Sequence, residues 1–452
     1  MVSRRNLLIM GACGGALTAV GVPVFAKETS VSAKGNVTPQ SATAITEVFG
    51  DGVKFIAVAV EYNADIDSAK LSAQSFDVAG RSVREVFTSH STNPADRASQ
   101  GRFVIITLSP QDSNAALAEK VQPKAGQSSS PMGNGGPGKA GDVPFYDTAY
   151  KTPVADVVQT GNLTTAAGKS IPKNSGNIAT TQVENLIVDD FKQLTFDDPK
   201  TGKVLHYNLF VPKNYQAGKS YPLVLFMHDA GATSDVTRTT LLQGLGAVSW
   251  ASKEDQARHP SFVLAPQYPE IIADDDSHTS VLMDTTINLI KSLSSQYSID
   301  PKRLYTTGQS GGCMTSIAMD IKYPRFFAAS FLVAGQWDPA LTVPLAKQKL
   351  WILVSQDDDK AFPGQNAITA VLEKNGATIS RATWDGRWSE AEFKQAFDEI
   401  EAKNSPINYV TFKKGTVIPA GESTQGASGH RNTWRIAYTI APIRDWIFKQ
   451  HR

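Results

Sequence analysis

The sequence predicts an α/β protein in two parts: a doubly wound, mostly parallel sheet preceded by a smaller all-β sandwich. Three observations carry this. From residue 183 onward, short apolar runs alternate with segments of helical period, the pattern of a parallel sheet wrapped by helices. Between residues 44 and 110 the runs are short, rich in branched residues and separated by turn residues, with no helical period until Asn114, as in a sandwich. At 452 residues the chain is also long for one domain.

Taken in order, residues 1–26 read as an export signal. Ser3-Arg4-Arg5-Asn6-Leu7-Leu8 resembles the twin-arginine pattern, a weakly apolar stretch follows to Val22, and Val24-Phe25-Ala26 forms a small-residue cleavage site. An ordinary secretory signal is the alternative; either places the mature protein outside the cytoplasm. Cys13 leaves with the signal, so Cys313 remains without a disulfide partner. A buried packing role suits Cys313 better than catalysis. Residues 27–43 are polar and read as a tether.

The sandwich is expected over residues 44–180. Residues 53–60, 83–88 and 102–108 supply strands, with turns at Asp51-Gly52, Asn63-Ala64-Asp65 and Ala79-Gly80. Residues 126–141 are rich in Gly, Ser and Pro and read as a mobile excursion.

Residues 183–452 make the second part. Residues 191–196 and 205–211 flank Asp198-Pro199-Lys200-Thr201-Gly202 as a hairpin, and residues 221–227 form a continuous apolar run, as a strand covered on both faces should. Residues 262–265, 303–307, 327–334, 350–355 and 407–412 complete the strand set. Residues 280–297 have helical spacing, Ser389-Glu390-Ala391-Glu392 makes a capping box for a helix to about Ala402, and a last helix is expected over residues 434–450. Trp384 and Trp388 precede the capping box; they read as core packing or as a wall of a substrate pocket.

Bulk composition narrows the partners. Formal net charge is +1, from 44 basic and 43 acidic residues, which leaves no electrostatic case for nucleic acid or an anionic membrane. Beyond the N-terminus no run is long and apolar enough to span a bilayer.

Chemistry concentrates at Gly308-Gln309-Ser310-Gly311-Gly312, between a strand and a helix over residues 313–322. A sharp turn there exposes the serine hydroxyl at a helix N-terminus, where N–H groups and the helix dipole favour negative charge. The serine needs a base, and the base an orienting acid, in the chain order Ser, acid, His. His430 stands in a loop ahead of the last helix and is the expected base; His451 is the penultimate residue. The acid should follow the strand at residues 350–354, where Asp357, Asp358 and Asp359 stand in a row. Spacing from the strand favours Asp358, and spacing back from Phe362-Pro363 favours Asp359 as the alternative acid. Oxyanion donors are expected from the amides of Gly311 and Ala230. His228 precedes the Ala230 loop and reads as a prop for its backbone. Asp274-Asp275-Asp276-Ser277-His278 reads as a polar loop, since consecutive carboxylates cannot all converge on one cation. No cofactor or metal is expected.

Several stretches resemble a known family. Residues 297–312, Lys322-Tyr323-Pro324-Arg325-Phe326-Phe327-Ala328-Ala329, Val263-Leu264-Ala265-Pro266-Gln267 and Asp445-Trp446-Ile447-Phe448 are similar to α/β-hydrolase esterases related to polyhydroxybutyrate depolymerases and feruloyl esterases. Residues 53–62, 71–78 and 103–108 resemble the immunoglobulin-like domain that precedes EstA-type esterases. The resemblance implies carboxylic ester hydrolysis on Ser310, Asp358 and His430, with a front domain tied to assembly and to access. Two departures from the family pattern stand out. Asp229 follows His228 where glycine is usual, and Val354-Ser355 replaces a common His-Gly.

The reading is an exported serine carboxylesterase acting on a small-molecule or polymer-borne ester, with homo-oligomerisation through the front domain open. Its rivals are a serine peptidase of the prolyl-oligopeptidase kind and an inactive polymer-binding protein.

Overall fold

The computed structural model describes residues 36–121, 138–144 and 147–452, of which Thr38–Arg452 form one compact unit. The export signal, Cys13, most of the tether and residues 126–137 of the Gly/Ser/Pro excursion lie outside the described residues.

The second part is built on a nine-stranded sheet. Its strands are β1 (Lys192–Asp198), β2 (Lys203–Phe210), β3 (Tyr221–Met227), β4 (Phe262–Gln267), β5 (Ile299–Gln309), β6 (Ala329–Val333), β7 (Leu350–Ser355), β8 (Ile379–Trp384) and β9 (Ile407–Phe412). Their spatial order is β1-β2-β4-β3-β5-β6-β7-β9-β8. β1 pairs antiparallel with β2, and β2 with β4; all the other pairs are parallel. Every residue of β3, β4, β6, β7 and β9 is buried, which is why these strands read as unbroken apolar runs rather than alternating ones. Helices cover both faces. In Leu282–Gln296, Leu282, Ile287, Leu289, Ile290 and Leu293 are all buried, so the apolar stripe is the packing face.

Two expectations about this part are corrected. β8 was not among the predicted strands. It is a sheet edge with Arg381 and Thr383 exposed, so it shows no apolar run. The single C-terminal helix is two: Ser428–Ala437 and Ala441–Phe448, the latter with Pro442 in its first turn. Proline lacks the N–H a continuous helix needs there but suits a new start. The last helix is pinned by Arg444, whose Nε and Nη2 reach Asp255 Oδ2 and Oδ1 at 2.6 and 2.9 Å, both residues buried.

The front part is a sandwich whose limits differ from those expected. Its first strand, Pro39–Phe49, begins inside the presumed tether, and its last, Gln182–Asn185, lies past the expected end and pairs parallel with the first. The polar residues Ser41, Thr43 and Gln182 hide both strands from a reading based on apolar runs. The larger sheet runs Gln182–Asn185, Pro39–Phe49, Gly52–Asp67, Gln100–Leu108, Val83–Ser89, Arg97–Ala98. A smaller sheet joins Asn174–Ala179, Asp156–Gln159 and Phe76–Val78. Ile45, Ala57, Ala59, Phe87 and Ile105 form a core cluster.

The two parts meet near the carboxyl ends of the sheet strands. Gly141 N–H donates to Ile271 O, Ile271 N–H to Asp142 O (both 2.8 Å), and Ala140 N–H to Asp274 Oδ2 at 3.0 Å. Among the described residues no helix is long and apolar enough to cross a membrane.

Candidate active site

β5 ends at Gln309 and the next helix starts at Gly311, so Ser310 alone makes the turn. Its backbone sits at φ 51°, ψ −116°, a region that costs a non-glycine residue about 1–3 kcal/mol and persists only where the surroundings impose it. Here the surroundings are steric. A Cβ on Gly308 would lie 2.4 Å from the carbonyl carbon of Gly312, and one on Gly312 would lie 1.9 Å from Met227 O. Only glycine lets strand, helix and β3 approach this closely. The serine is further held by its N–H donating to Val333 O at 3.1 Å and its carbonyl accepting from Met314 N–H at 2.9 Å. Cys313, one turn along, is fully buried, and burial pushes its thiol pKa up. It packs, as expected.

His430 arrives in the first turn of Ser428–Ala437, not in a loop. Ser428 and Gly429 are weak helix formers, which hid that turn. Gly429 is there for contact: a Cβ would lie 2.4 Å from Asp357 O. The helix end thus seats against the acid loop. His430 Nε2 lies 2.8 Å from Ser310 Oγ, and its Nδ1 lies 2.5 Å from Asp358 Oδ2. The imidazole and the Trp434 ring meet edge to face, with centroids 5.0 Å apart.

Of the three aspartates, Asp358 is the one that meets His430. It is buried, and its Oδ1 accepts from the N–H groups of Lys360 and Ala361 at 3.1 and 2.9 Å. Burial opposes its charge, but the hydrogen bond and charge of His430, aided by those two N–H groups, outweigh it and hold the carboxyl below its ordinary pKa. Asp359 is exposed, and Asp357 instead accepts from Gly415 N–H at 2.7 Å. Ser355, at the departure from the family pattern, bonds Asp357 N–H through its Oγ at 3.0 Å and so shapes the loop.

Ala230 opens a short 3-10 turn, Ala230–Ala232, after β3. Its nitrogen lies 3.7 Å from where a Cβ of Gly311 would stand. The first N–H groups of a helix have no intrahelical acceptor, and Gly311 and Ala230 each open one, Gly311 directly after Ser310. His228 supports this loop. Its Nδ1 donates to Asp229 O at 2.7 Å and its Nε2 accepts from Tyr268 N–H at 3.0 Å. Burial lowers its pKa and keeps it neutral.

Two residues near the site escaped the sequence reading. Gln309 donates through Nε2 to Asp229 Oδ1 at 2.9 Å; it occupies a variable position of the serine motif, so no pattern flags it. Tyr150 lies in a strand of the front part, Asp147–Tyr150. Burial raises its pKa, and the charges of Asp229 and Asp147 add to this. Only the fold brings it toward the Asp229 loop.

Other candidates fall elsewhere. Trp384 is buried against Trp351 and Phe393. Trp388 lines a groove of about 690 Å³, together with Glu47, Ile187 and Arg444, whose wall includes none of Ser310, Asp358 and His430. Asp274, Asp276 and His278 bring ligand-type atoms within 4.8 Å of one another. However, Asp274 accepts from the N–H groups of Asp276, His278 and Ala140, and Asp275 pairs with Lys360 at 2.7 Å.

Residues 41–172 match the family model described as the esterase Ig-like N-terminal domain. Comparison with curated proteins finds no match. A solved structure titled as a thermostable esterase is 25% identical, covering 91% of this chain and 100% of its own, with a TM-score of 0.72. The feruloyl esterase module from Clostridium thermocellum is 12% identical, over 56% of this chain and 86% of its own, with a TM-score of 0.39. A ferulic acid esterase from Anaeromyces mucronatus is also 12% identical, over 56% and 89%, with a TM-score of 0.35. An esterase Ig-like N-terminal domain over residues 41–172 thus precedes an α/β-hydrolase fold, and the chain is similar over 91% of its length to a solved esterase.

Proposed function

We propose that the protein is an exported serine carboxylesterase that cleaves carboxylic esters through an acyl-enzyme on Ser310. The single observation that carries the reading is the relay from Ser310 Oγ through His430 to Asp358, at 2.8 and 2.5 Å. In it His430 Nε2 takes the serine proton as Oγ attacks the ester carbonyl. Asp358 holds the imidazole in the tautomer with hydrogen on Nδ1 and stabilises the imidazolium that forms. The carbonyl oxygen gains negative charge and is met by the Ala230 and Gly311 N–H groups. His430 then gives its proton to the departing alcohol. Water, deprotonated by the same nitrogen, releases the acid and restores Ser310.

The structure titled as a thermostable esterase supports the ester as substrate class. Export is supported by the Ser3-Arg4-Arg5-Asn6-Leu7-Leu8 pattern and the Ala26 cleavage site. Fractionating cells that express the full chain and an Arg4→Lys/Arg5→Lys variant tests export: activity should leave the cytoplasm only in the former.

The catalytic reading is tested with short-chain p-nitrophenyl esters and the mature protein beside Ser310→Ala. Turnover by the first and a loss on the order of 10⁶ in the second is expected. Peptide cleavage without ester cleavage would favour the peptidase, and a folded protein inert to both would favour a binding role.

A further inference from the structure

We propose that Asp229 is a positioning residue for the oxyanion site: its carboxylate ties the loop presenting Ala230 N–H to the turn presenting Ser310 and Gly311. This rests on the reading of Ser310 as nucleophile. An anion at this position looks harmful, because negative charge develops close by during attack. The geometry shows where the charge is spent. Oδ1 accepts from Gln309 Nε2 at 2.9 Å and Oδ2 from Gly231 N–H at 3.0 Å. The residue's carbonyl accepts from His228 Nδ1 at 2.7 Å. Asp229 is thereby held on both sides of the peptide that carries the Ala230 N–H, and it caps the short turn that follows.

Gln309 gives the tie its direction. It is fully buried and immediately precedes Ser310, so it moves with the turn. Its Nε2 also donates to Gln243 Oε1 at 3.1 Å, while among the described residues its own Oε1 has no partner. The amide therefore spends both donor hydrogens and neither acceptor lone pair, an orientation that an anion at Asp229 imposes. A glycine at 229 would leave this buried donor short of an acceptor and the loop joined to the turn by packing alone. Reacting groups misplaced by about 1 Å cost about 10²-fold in rate, so a tie between two donor-bearing segments acts on kcat.

The test is kinetic. Asp229→Ala, Asp229→Asn, Gln309→Ala and the double variant Asp229→Ala/Gln309→Ala are compared with wild type on a p-nitrophenyl ester. The rate of Ser310 phosphonylation by a fluorophosphonate and the melting temperature are measured alongside. Asn keeps an acceptor for Gly231 N–H and, with the Gln309 amide turned over, a bond to its free Oε1. Expected are a kcat loss of about 10–10² in Asp229→Ala with KM within about threefold, recovery of most of it in Asp229→Asn, and a double variant no worse than the worse single. Wild-type kcat in Asp229→Ala, equal losses in Ala and Asn, or additive losses would each overturn the proposal. If wild type is phosphonylated at Ser310 but cleaves no ester, the esterase reading fails while the phosphonylation rates still decide the role of Asp229. If Ser310 does not react at all, both fall.

Discussion

The catalytic sheet and the front sandwich are both mostly strand pairing, yet they use their strands differently. In the sheet, β3 and β7 are buried end to end and β5 over Leu304–Gln309, and the candidate site residues follow where these strands stop: Ala230 after β3, Ser310 after β5, Asp358 after β7. In the sandwich the strands run mostly antiparallel, and exposed residues interrupt the buried ones in Pro39–Phe49 and Gly52–Asp67. Its reach toward the site comes from Ala140, Gly141 and Asp142, bonded to Ile271 and Asp274, and from Tyr150 near Asp229. The difference teaches that two-sided burial lets the ends of separate strands bring residues far apart in the chain to one candidate site, as α/β sheets do generally.

That contrast can be broken by substitution. The largest expected effect is Ser310→Ala, a loss on the order of 10⁶ in kcat with an unchanged melting temperature. A sandwich substitution with a comparable kinetic effect and no unfolding would erase the distinction. Asp358→Asn comes next: it should cost about 10⁴ in kcat by favouring the wrong imidazole tautomer, whereas Asp359→Asn should leave kcat unchanged.

A third prediction concerns pH and stability. Asp320 lies buried in the helix that follows Ser310, and burial raises its pKa to about 7, with Ser330 Oγ alone among the described residues hydrogen-bonding its carboxyl, at 2.6 Å. A raised carboxyl pKa means the folded state holds a proton that the unfolded chain has lost. The contribution of Asp320 to stability should therefore fall as pH rises from about 4 to about 7 and level off above. Asp320→Asn should flatten that slope and stabilise the protein at pH 8 by up to about 4 kcal/mol. An unchanged slope in a urea-unfolding series across this range would contradict it.

The smallest effect sharpens the comparison through glycine. Gly168 of the sandwich has φ +80° and open space where a Cβ would stand, so Gly168→Ala should cost only about 1 kcal/mol of backbone strain. Gly312→Ala meets Met227 O head-on and should prevent soluble expression. Comparable melting temperatures for the two would mean the turn at Ser310 is softer than its contacts imply.

What was legible follows the same divide. The run Tyr221–Met227 and the run Leu350–Ser355 announced themselves because nothing polar interrupts strands buried on both faces. β8 did not, since Arg381 and Thr383 face water at the sheet edge. The parallel pairing of Gln182–Asn185 with Pro39–Phe49 joins segments about 140 residues apart, beyond any local pattern. At the site, Ser310 and His430 were readable from motif and chain order. Local spacing left Asp358 and Asp359 open because both follow the strand; burial and the reach of His430 distinguish them only in three dimensions. The bond between Gln309 and Asp229 was invisible for the same reason: Asp229 stood out as a departure from the family pattern, but nothing local pairs it with Gln309.

The most direct test of the central claim is to react the mature protein with a fluorophosphonate and map the adduct by mass spectrometry. The account predicts one phosphonyl group per chain, on Ser310, formed far more slowly when His430 is replaced by alanine. A folded protein that takes up no label, or takes it up elsewhere or at a rate indifferent to His430, would contradict it.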